Sequence, residues 1–255
     1  MKRILSFLTA LGVILLIWEL AHRAFGLSGL PAPLDALSAM PDLLREPETV
    51  IDVLQSLRRM FIGYAIAAIG GITLGLLMGT SRLASQMLNP LIMMIYPIPK
   101  AALMPILMIW LGVGDMSKIL IIILGASLPI IYHAWQGGKS VKSTVVWSAA
   151  AMGMKRPARL FRIVLPAALP EIFIGLRTGL ILALITMVVS EIVARSNGIG
   201  NLLFNAMDMA LYDRMFAAII IIAAMGCALD WVFEAIRKRF LRWSDTSDHI
   251  EVSAG

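Results

Sequence analysis

The sequence predicts an all-α membrane protein, a polytopic bundle of six transmembrane helices. Hydrophobic residues make up 59% of the 255 residues and charged residues only 15%, and the mean hydropathy is +0.85. An average soluble domain carries about 25% charged residues. The apolar residues lie in blocks of roughly 15 to 25 residues, the length that crosses a bilayer as a helix. This pattern excludes a disordered chain and an ordinary water-soluble enzyme, and the single cysteine, Cys227, excludes an intrachain disulfide.

The six predicted spans are 4–20, 60–78, 88–111, 119–135, 173–193 and 215–236. The first span follows Lys2 and Arg3, so it could also be a signal peptide. No small-x-small cleavage site follows it, and this favours an uncleaved helix. Strands are not expected, because the alternation typical of a membrane barrel is absent.

The distribution of basic residues predicts that both termini lie in the cytoplasm. With six spans, 13 of the 22 lysines and arginines fall on the side of the termini and seven on the other side. Cytoplasmic loops carry such an excess. The net charge of +6 is therefore attributed to topology and not to nucleic-acid binding. The longest cytoplasmic segment, 136–172, contains six of the basic residues.

The second span carries small residues four positions apart, and this spacing keeps them near one helix face. They are Gly63, Ala67, Gly71, Gly75 and Gly79. Small residues let two helix backbones approach closely, so packing inside one bundle is the favoured interpretation. A face that slides or dimerises is the alternative.

The third and fifth spans contain the candidate residues of a transport pathway. Pro97, Pro99 and Pro105 remove helix donors and must break or kink the third span, which at membrane depth requires a protein-lined setting. Lys100 would lie near mid-bilayer, where it either meets an anionic solute or pairs with a carbonyl. Glu191, at the end of the fifth span, is either a pathway group or an interfacial helix-end acid.

The long cytoplasmic segment has the most specific pattern. An alanine-rich stretch predicts a short helix that Gly153 ends. A basic amphipathic helix is expected next, ending at Leu165-Pro166, with Pro170 starting the fifth span. Such a helix could bind anionic lipid or a groove on a partner protein. Its basic residues either meet an acidic partner or only anchor the loop inside.

This segment resembles the EAA loop of ATP-binding-cassette (ABC) importer permeases, with Glu-Ala-Ala, three residues, Gly, and later Ile-x-Leu-Pro. Ser148, Ala149, Gly153, Ile163 and Leu165-Pro166 fit that spacing, whereas Trp147 stands at the glutamate position. Further motifs are similar to the branch of that family that serves nitrate, taurine and alkanesulfonates. They are Ser56-Leu57-Arg58-Arg59, Pro97-Ile98-Pro99, Trp110-Leu111-Gly112-Val113-Gly114, Leu128-Pro129-Ile130, Gly175-Leu176-Arg177, Ser190-Glu191 and Gly198-Ile199-Gly200.

The resemblance implies a type I importer permease of the bacterial inner membrane. A homodimer would form the pathway, with two copies of a separate ABC ATPase beneath it and an external solute-binding protein delivering the solute. The chain itself would bind no cofactor, because ATP and Mg would be held by the ATPase. The residues implied to dock on the ATPase are Trp147, Ser148, Ala149, Gly153, Met154, Lys155, Arg156, Arg159, Leu165 and Pro166.

The implied organisation has four parts. An N-terminal transmembrane helix, 1–23, precedes a periplasmic segment, 24–55. The type 1 transmembrane domain, 56–236, includes the cytoplasmic loop 137–172, and a cytoplasmic tail, 237–255, follows it.

The solute and the function class leave alternatives. The resemblance implies a small anion such as nitrate, taurine or a sulfonate, with a vitamin precursor or aromatic solute as the alternative for the same importer type. A transporter that works alone would be expected to show intramembrane acid chains and internal repeats, and neither is visible. A membrane-embedded enzyme would need a catalytic or metal-binding cluster, and no such motif is present.

Overall fold

The computed structural model describes residues 2–241 and residue 243, and every regular element in this part of the chain is helical. The predicted all-α class is therefore confirmed. The α-helices are α1 (Lys2–Phe25), α2 (Pro33–Arg45), α3 (Pro47–Thr80), α4 (Arg82–Ile95), α5 (Met104–Leu111), α6 (Asp115–Ser140), α7 (Ser143–Ala151), α8 (Arg156–Arg159), α9 (Leu165–Ala194), α10 (Ile199–Asp208) and α11 (Tyr212–Phe240).

Within the described residues, four helical segments are long and apolar enough to cross a membrane. They are Pro47–Thr80, Asp115–Ser140, Arg156–Ala194 and Tyr212–Phe240. A fifth crossing results if α4 and the segment Lys100–Leu111 count as one bent span. The predicted count of six is not confirmed, and the first predicted span, which coincides with α1, stays a prediction.

The predicted third span is broken at its prolines, as expected. Helix α4 ends at Ile95, a 3₁₀ turn covers Lys100–Leu103, and α5 follows at an angle of 81° to α4. Pro97 and Pro99 lie in the connection, where neither ring nitrogen is needed as a donor.

The helix predicted to end at Leu165-Pro166 does not end there, so that boundary is wrong. A π turn, Leu160–Val164, leads directly into α9, and both Pro166 and Pro170 lie inside the continuous helix. The carbonyl that Pro166 would leave unpaired belongs to Arg162, which is in the π turn. The π turn thus changes the hydrogen-bond register where the proline donor is missing, at a position where a proline would otherwise kink the helix.

The described chain divides into two compact units. The first contains 2–57 and Glu191–Met225, and the second contains Arg58–Ser190 together with 226–241 and residue 243. The predicted cytoplasmic tail, 237–255, is described only to Leu241 and at Trp243, so Arg242 and 244–255 lie outside the described residues.

The small-residue stripe of the second unit packs against α6. A Cβ built at Gly63 would lie 2.7 Å from Ile122, and one at Gly71 would lie 2.8 Å from Ile130. At Gly75 it would lie 2.5 Å from Ala134, and at Gly79 it would lie 2.8 Å from Gly138. The stripe therefore permits close contact between two helices of one unit, the first of the two interpretations.

Candidate coupling segment and polar sites of the spans

The candidate coupling segment, residues 143–164, begins with α7 and reverses at Gly153. The Gly153 amide donates to the Ala150 carbonyl, and the Met154 amide donates to the Ala149 carbonyl, both at 3.0 Å. These two bonds and the Gly153 φ of +80° form a Schellman cap, which ends a helix where glycine adopts a left-handed conformation. The predicted helix–glycine–helix break is present at this position.

Large apolar side chains project from the coupling segment. Trp147 is 69% exposed, Met152 is 78% exposed and Phe161 is 65% exposed. Trp147 and Met152 lie outside the segments that could cross a membrane, whereas Phe161 lies near the beginning of the segment Arg156–Ala194. Large apolar side chains that are exposed outside the bilayer are typical of a protein contact. Trp147, which stands at the glutamate position of the EAA pattern, is one of these exposed side chains.

The opposite side of the coupling segment is anchored to the second unit. Leu76, Ala134, Val164, Ala168 and Ile172 form a buried cluster from α3, α6, the π turn and α9. Val146 and Leu160 of the coupling segment pack against that cluster, as does Leu165 at the beginning of α9. The coupling segment is therefore packed against residues of three long helices, α3, α6 and α9.

The remaining predicted docking residues differ in exposure. Ala149 is buried, Met154 is half-buried, and Ser148 donates to the Thr144 carbonyl at 2.9 Å. Lys155 and Arg156 are exposed, whereas Arg159 is half-buried. Leu165 and Pro166 are half-buried in the first turn of α9.

Lys100 of the predicted pathway caps the end of α4. Its Nζ donates to the Ile95 carbonyl at 2.8 Å and to the Tyr96 carbonyl at 2.7 Å. Two of the three ammonium donors are thus engaged with backbone, so the carbonyl pairing foreseen as one alternative is present. A third donor remains available in this geometry.

A cavity of about 300 Å³ lies beside Lys100 in the second unit. Tyr96, Pro99, Lys100 and Ala101 of the broken span line it, together with Gly125, Leu128, Pro129, Leu182 and Thr186 of α6 and α9. The lining is mainly apolar, with the Lys100 ammonium as its charged group. The backbone that the prolines interrupt thus faces a protein-lined space, the setting in which a broken membrane helix is tolerated.

Glu191 is buried in the first unit and holds a turn. The Ser56 hydroxyl lies 2.8 Å from both carboxylate oxygens, and the Gly200 amide donates to Oε2 at 3.1 Å. The Ile199 amide donates to the Ser56 Oγ at 3.0 Å. Gly198, with φ of +110°, passes so close to the carboxylate that a Cβ would collide with it. Glu191 lies in the last turn of α9, so the helix-end position is present, but the carboxylate is fully buried.

Charged residues of the spans pair inside the second unit, and sequence reasoning missed part of this arrangement. The Arg177 guanidinium binds both Asp230 oxygens at 2.7 Å and joins α9 to α11. Arg58 pairs with Asp115, and the buried Arg59 donates to Asp115 at 2.6 Å. Paired charges are much less costly in a span than isolated ones.

The charge count, which places Arg59 and Lys118 on the outer side, gives no sign that both side chains are buried. Both lie within helices, α3 and α6, and both are at most 1% exposed. The Ser56-Leu57-Arg58-Arg59 motif was the one available signal for a special role of Arg59. No comparable motif singles out Lys118.

The comparisons with known proteins agree with this fold. Residues 71–242, more than half of the chain, match the family described as the binding-protein-dependent transport system inner membrane component. The chain therefore belongs to this family, and it is a multi-pass permease subunit of a transporter and not itself an enzyme.

Three relatives show the breadth of the similarity. The taurine transport system permease protein TauC of Escherichia coli (strain K12) is 35% identical over 188 residues, 74% of this chain and 68% of that protein. The putative aliphatic sulfonates transport permease protein SsuC of Bacillus subtilis (strain 168) is 29% identical over 92% of this chain and 86% of its own length. The nitrate import permease protein NrtB of Synechocystis sp. is 29% identical, covering 87% and 83%.

Proposed function

We propose that the chain imports a small anion as one half of a homodimeric permease driven by a separate ATPase. Each permease copy contacts one ATPase subunit through the coupling segment, and an external solute-binding protein delivers the solute. ATP and Mg are held by the ATPase, and this chain binds no cofactor. The observation that carries the proposal is the pair of faces of the coupling segment. One face exposes large apolar side chains, and the other packs against the buried cluster of α3, α6 and α9.

The proposed mechanism follows from that anchoring. ATP closes the two ATPase subunits, and the two coupling segments approach each other. Because Val146 and Leu160 pack on the buried cluster, the long helices move with the segment and turn the pathway outward. ATP acts only through its different affinity for the two states, and hydrolysis resets the cycle.

Cross-linking tests the contact with the ATPase. In a Cys227→Ser background, Met152→Cys places a thiol on the exposed coupling segment. Met116→Cys is the matched control, because Met116 is also exposed but lies at the opposite end of α6 from the coupling segment. We expect Met152→Cys alone to cross-link to the copurifying ATPase. Equal cross-linking at both positions, or none at Met152, would overturn the docking role.

The proposed orientation puts both termini and the coupling segment in the cytoplasm of a bacterium, as the excess of basic residues favours. In the same background, Leu27→Cys lies in the proposed periplasmic segment, where Leu27 is exposed. A membrane-impermeant maleimide applied to intact cells should label Leu27→Cys and not Met152→Cys. Labelling of Met152→Cys and not of Leu27→Cys would show the opposite topology and contradict the proposed orientation.

The proposed solute is nitrate, taurine or another sulfonate, as the names of the relatives suggest. The Lys100 ammonium beside the cavity supports an anion. The apolar lining favours the alternative, an aromatic solute or vitamin precursor carried by the same importer type. The affinity of the partner solute-binding protein for each solute class is measured by competition, and uptake of each class is then measured in cells. A preference for the small anions supports the first solute class, and a preference for aromatic solutes supports the alternative.

A further inference from the structure

A second cavity, of about 640 Å³, lies behind the coupling segment in the second unit. It is lined by Leu77, Thr80 and Ser81 at the end of α3, by Val146 of α7, and by Arg156, Pro157, Arg159, Leu160 and Val164. The lining contains two arginines and no carboxylate. The cavity therefore carries a net positive charge that no lining residue neutralises.

Arg159, one of the two arginines of the lining, is half-buried. Its Nε is shielded from solvent and has no hydrogen-bond partner among the described residues. A buried donor without a partner costs free energy, so such a group in a roomy polar site calls for an acceptor from outside the chain. The geometry suits an oxyanion, because the fork of an arginine binds phosphate well.

The position of the cavity at the ends of two spans indicates where that oxyanion comes from. Leu77 and Thr80 are in the last turn of the apolar helix Pro47–Thr80, and Val164 lies near the beginning of the span Arg156–Ala194. The ends of apolar membrane-crossing helices are expected at the depth of the lipid head groups. Leu77, Leu160 and Val164 offer apolar surface to an acyl chain, and Thr80 and Ser81 offer hydroxyls to a head group. Basic pockets between spans bind anionic head groups in this way.

We propose that this cavity binds the phosphate of an anionic phospholipid and that Arg159 and Arg156 are its ligands. Bound lipid then fills the space between the coupling segment and α3 and satisfies the buried Arg159 donor. The proposal does not require contact with the ATPase. It is tested without ATP, so that its failure and the failure of the proposed transport function are separable.

The test measures lipid retained by the full chain. The protein is purified in mild detergent, and phosphatidylglycerol or phosphatidylcholine is titrated in while bound lipid is counted by native mass spectrometry. Arg159→Gln and Arg156→Gln remove cavity charges. Arg162→Gln and Lys142→Gln remove the same charge from exposed positions of the same cytoplasmic stretch that do not line the cavity.

We expect both cavity variants to bind phosphatidylglycerol about tenfold more weakly than the two controls, the loss that follows from removing one charge-assisted hydrogen bond. Phosphatidylcholine carries a cationic choline that offsets its phosphate charge and would lie beside the arginines, so it should bind more weakly than phosphatidylglycerol to the control proteins. Displacement of the lipid by inorganic phosphate would show that the phosphate is the recognised group, whereas its persistence would show that the acyl chain is also required.

Equal lipid binding by Arg159→Gln and Arg162→Gln would overturn the proposal, since bulk positive charge would then explain the retention. If Arg159→Gln loses its fold, Arg156→Gln against Lys142→Gln gives the same comparison. Cross-linking of Ser81→Cys to the ATPase in a Cys227→Ser background, with no difference in lipid binding between variants, would assign the cavity to a protein partner instead.

Discussion

The turn at Gly153 offers the sharpest perturbation of the coupling segment. Its φ of +80° is unfavourable for any residue with a Cβ, yet a Cβ built there meets no atom within 4 Å. A substitution therefore costs only backbone strain, about 1–2 kcal/mol for an ordinary residue in the left-handed region, and less for asparagine. That is roughly a five- to thirtyfold shift away from the capped turn. Membrane insertion should be unaffected, because the buried cluster is untouched.

The expected result is a graded loss of coupling. Gly153→Asn should keep most uptake per ATP hydrolysed, Gly153→Asp should lose more, and Gly153→Val should lose nearly all, since a β-branched residue fits this region worst. Uptake and ATP hydrolysis are measured together in proteoliposomes that contain the ATPase and the solute-binding protein. Gly70→Val is the matched control, because a Cβ at Gly70 also meets nothing within 4 Å and its φ is not positive. Wild-type uptake per ATP in Gly153→Val would refute the reasoning.

Three further predictions concern the spans. Arg177→Met leaves Asp230 unpaired and should lower the amount of protein inserted in the membrane, since a lone charge costs about 3 kcal/mol in a span. The double variant Arg177→Met/Asp230→Leu should restore that amount, as measured by immunoblot of the membrane fraction. Lys100→Met removes the α4 cap and the charge beside the cavity, and should abolish uptake with insertion intact; uptake of normal affinity would leave no pathway role for Lys100. Gly75→Val collides with Ala134 and should lower the thermal stability of the detergent-solubilised protein, unlike Gly70→Val, and equal stability would contradict close α3–α6 packing.

Local chemistry made parts of the fold predictable. The break at Pro97 and Pro99 follows from missing donors and fixed φ angles, and the turn at Gly153 follows from glycine's tolerance of the left-handed region. The same reasoning fails at Pro166 and Pro170, where it predicts helix boundaries that the structure does not have. Whether a proline ends a helix depends on what the preceding turn does, and the π turn before Pro166 is not visible in residue propensities.

The partners of the buried polar residues could not be predicted, because most of these partners are far away in the sequence. Glu191 lies at a helix end, but its partners are Ser56 and Gly200, and no periodicity in the sequence brings those residues together. The burial of Arg59 and Lys118 could not be predicted, because topology rules count charges and carry no information on packing. The Arg177–Asp230 pair joins two spans that are separated along the chain by α10.

Reconstitution with and without the ATPase tests the central proposal most directly. The purified chain is placed in vesicles that trap ATP and Mg on the side of the coupling segment, with the solute-binding protein and labelled solute outside. ATP-dependent uptake should appear only when the ATPase subunits are present, and Gly153→Val should reduce it without reducing the amount of permease. Uptake at the same rate by the chain without any ATPase would contradict the proposal.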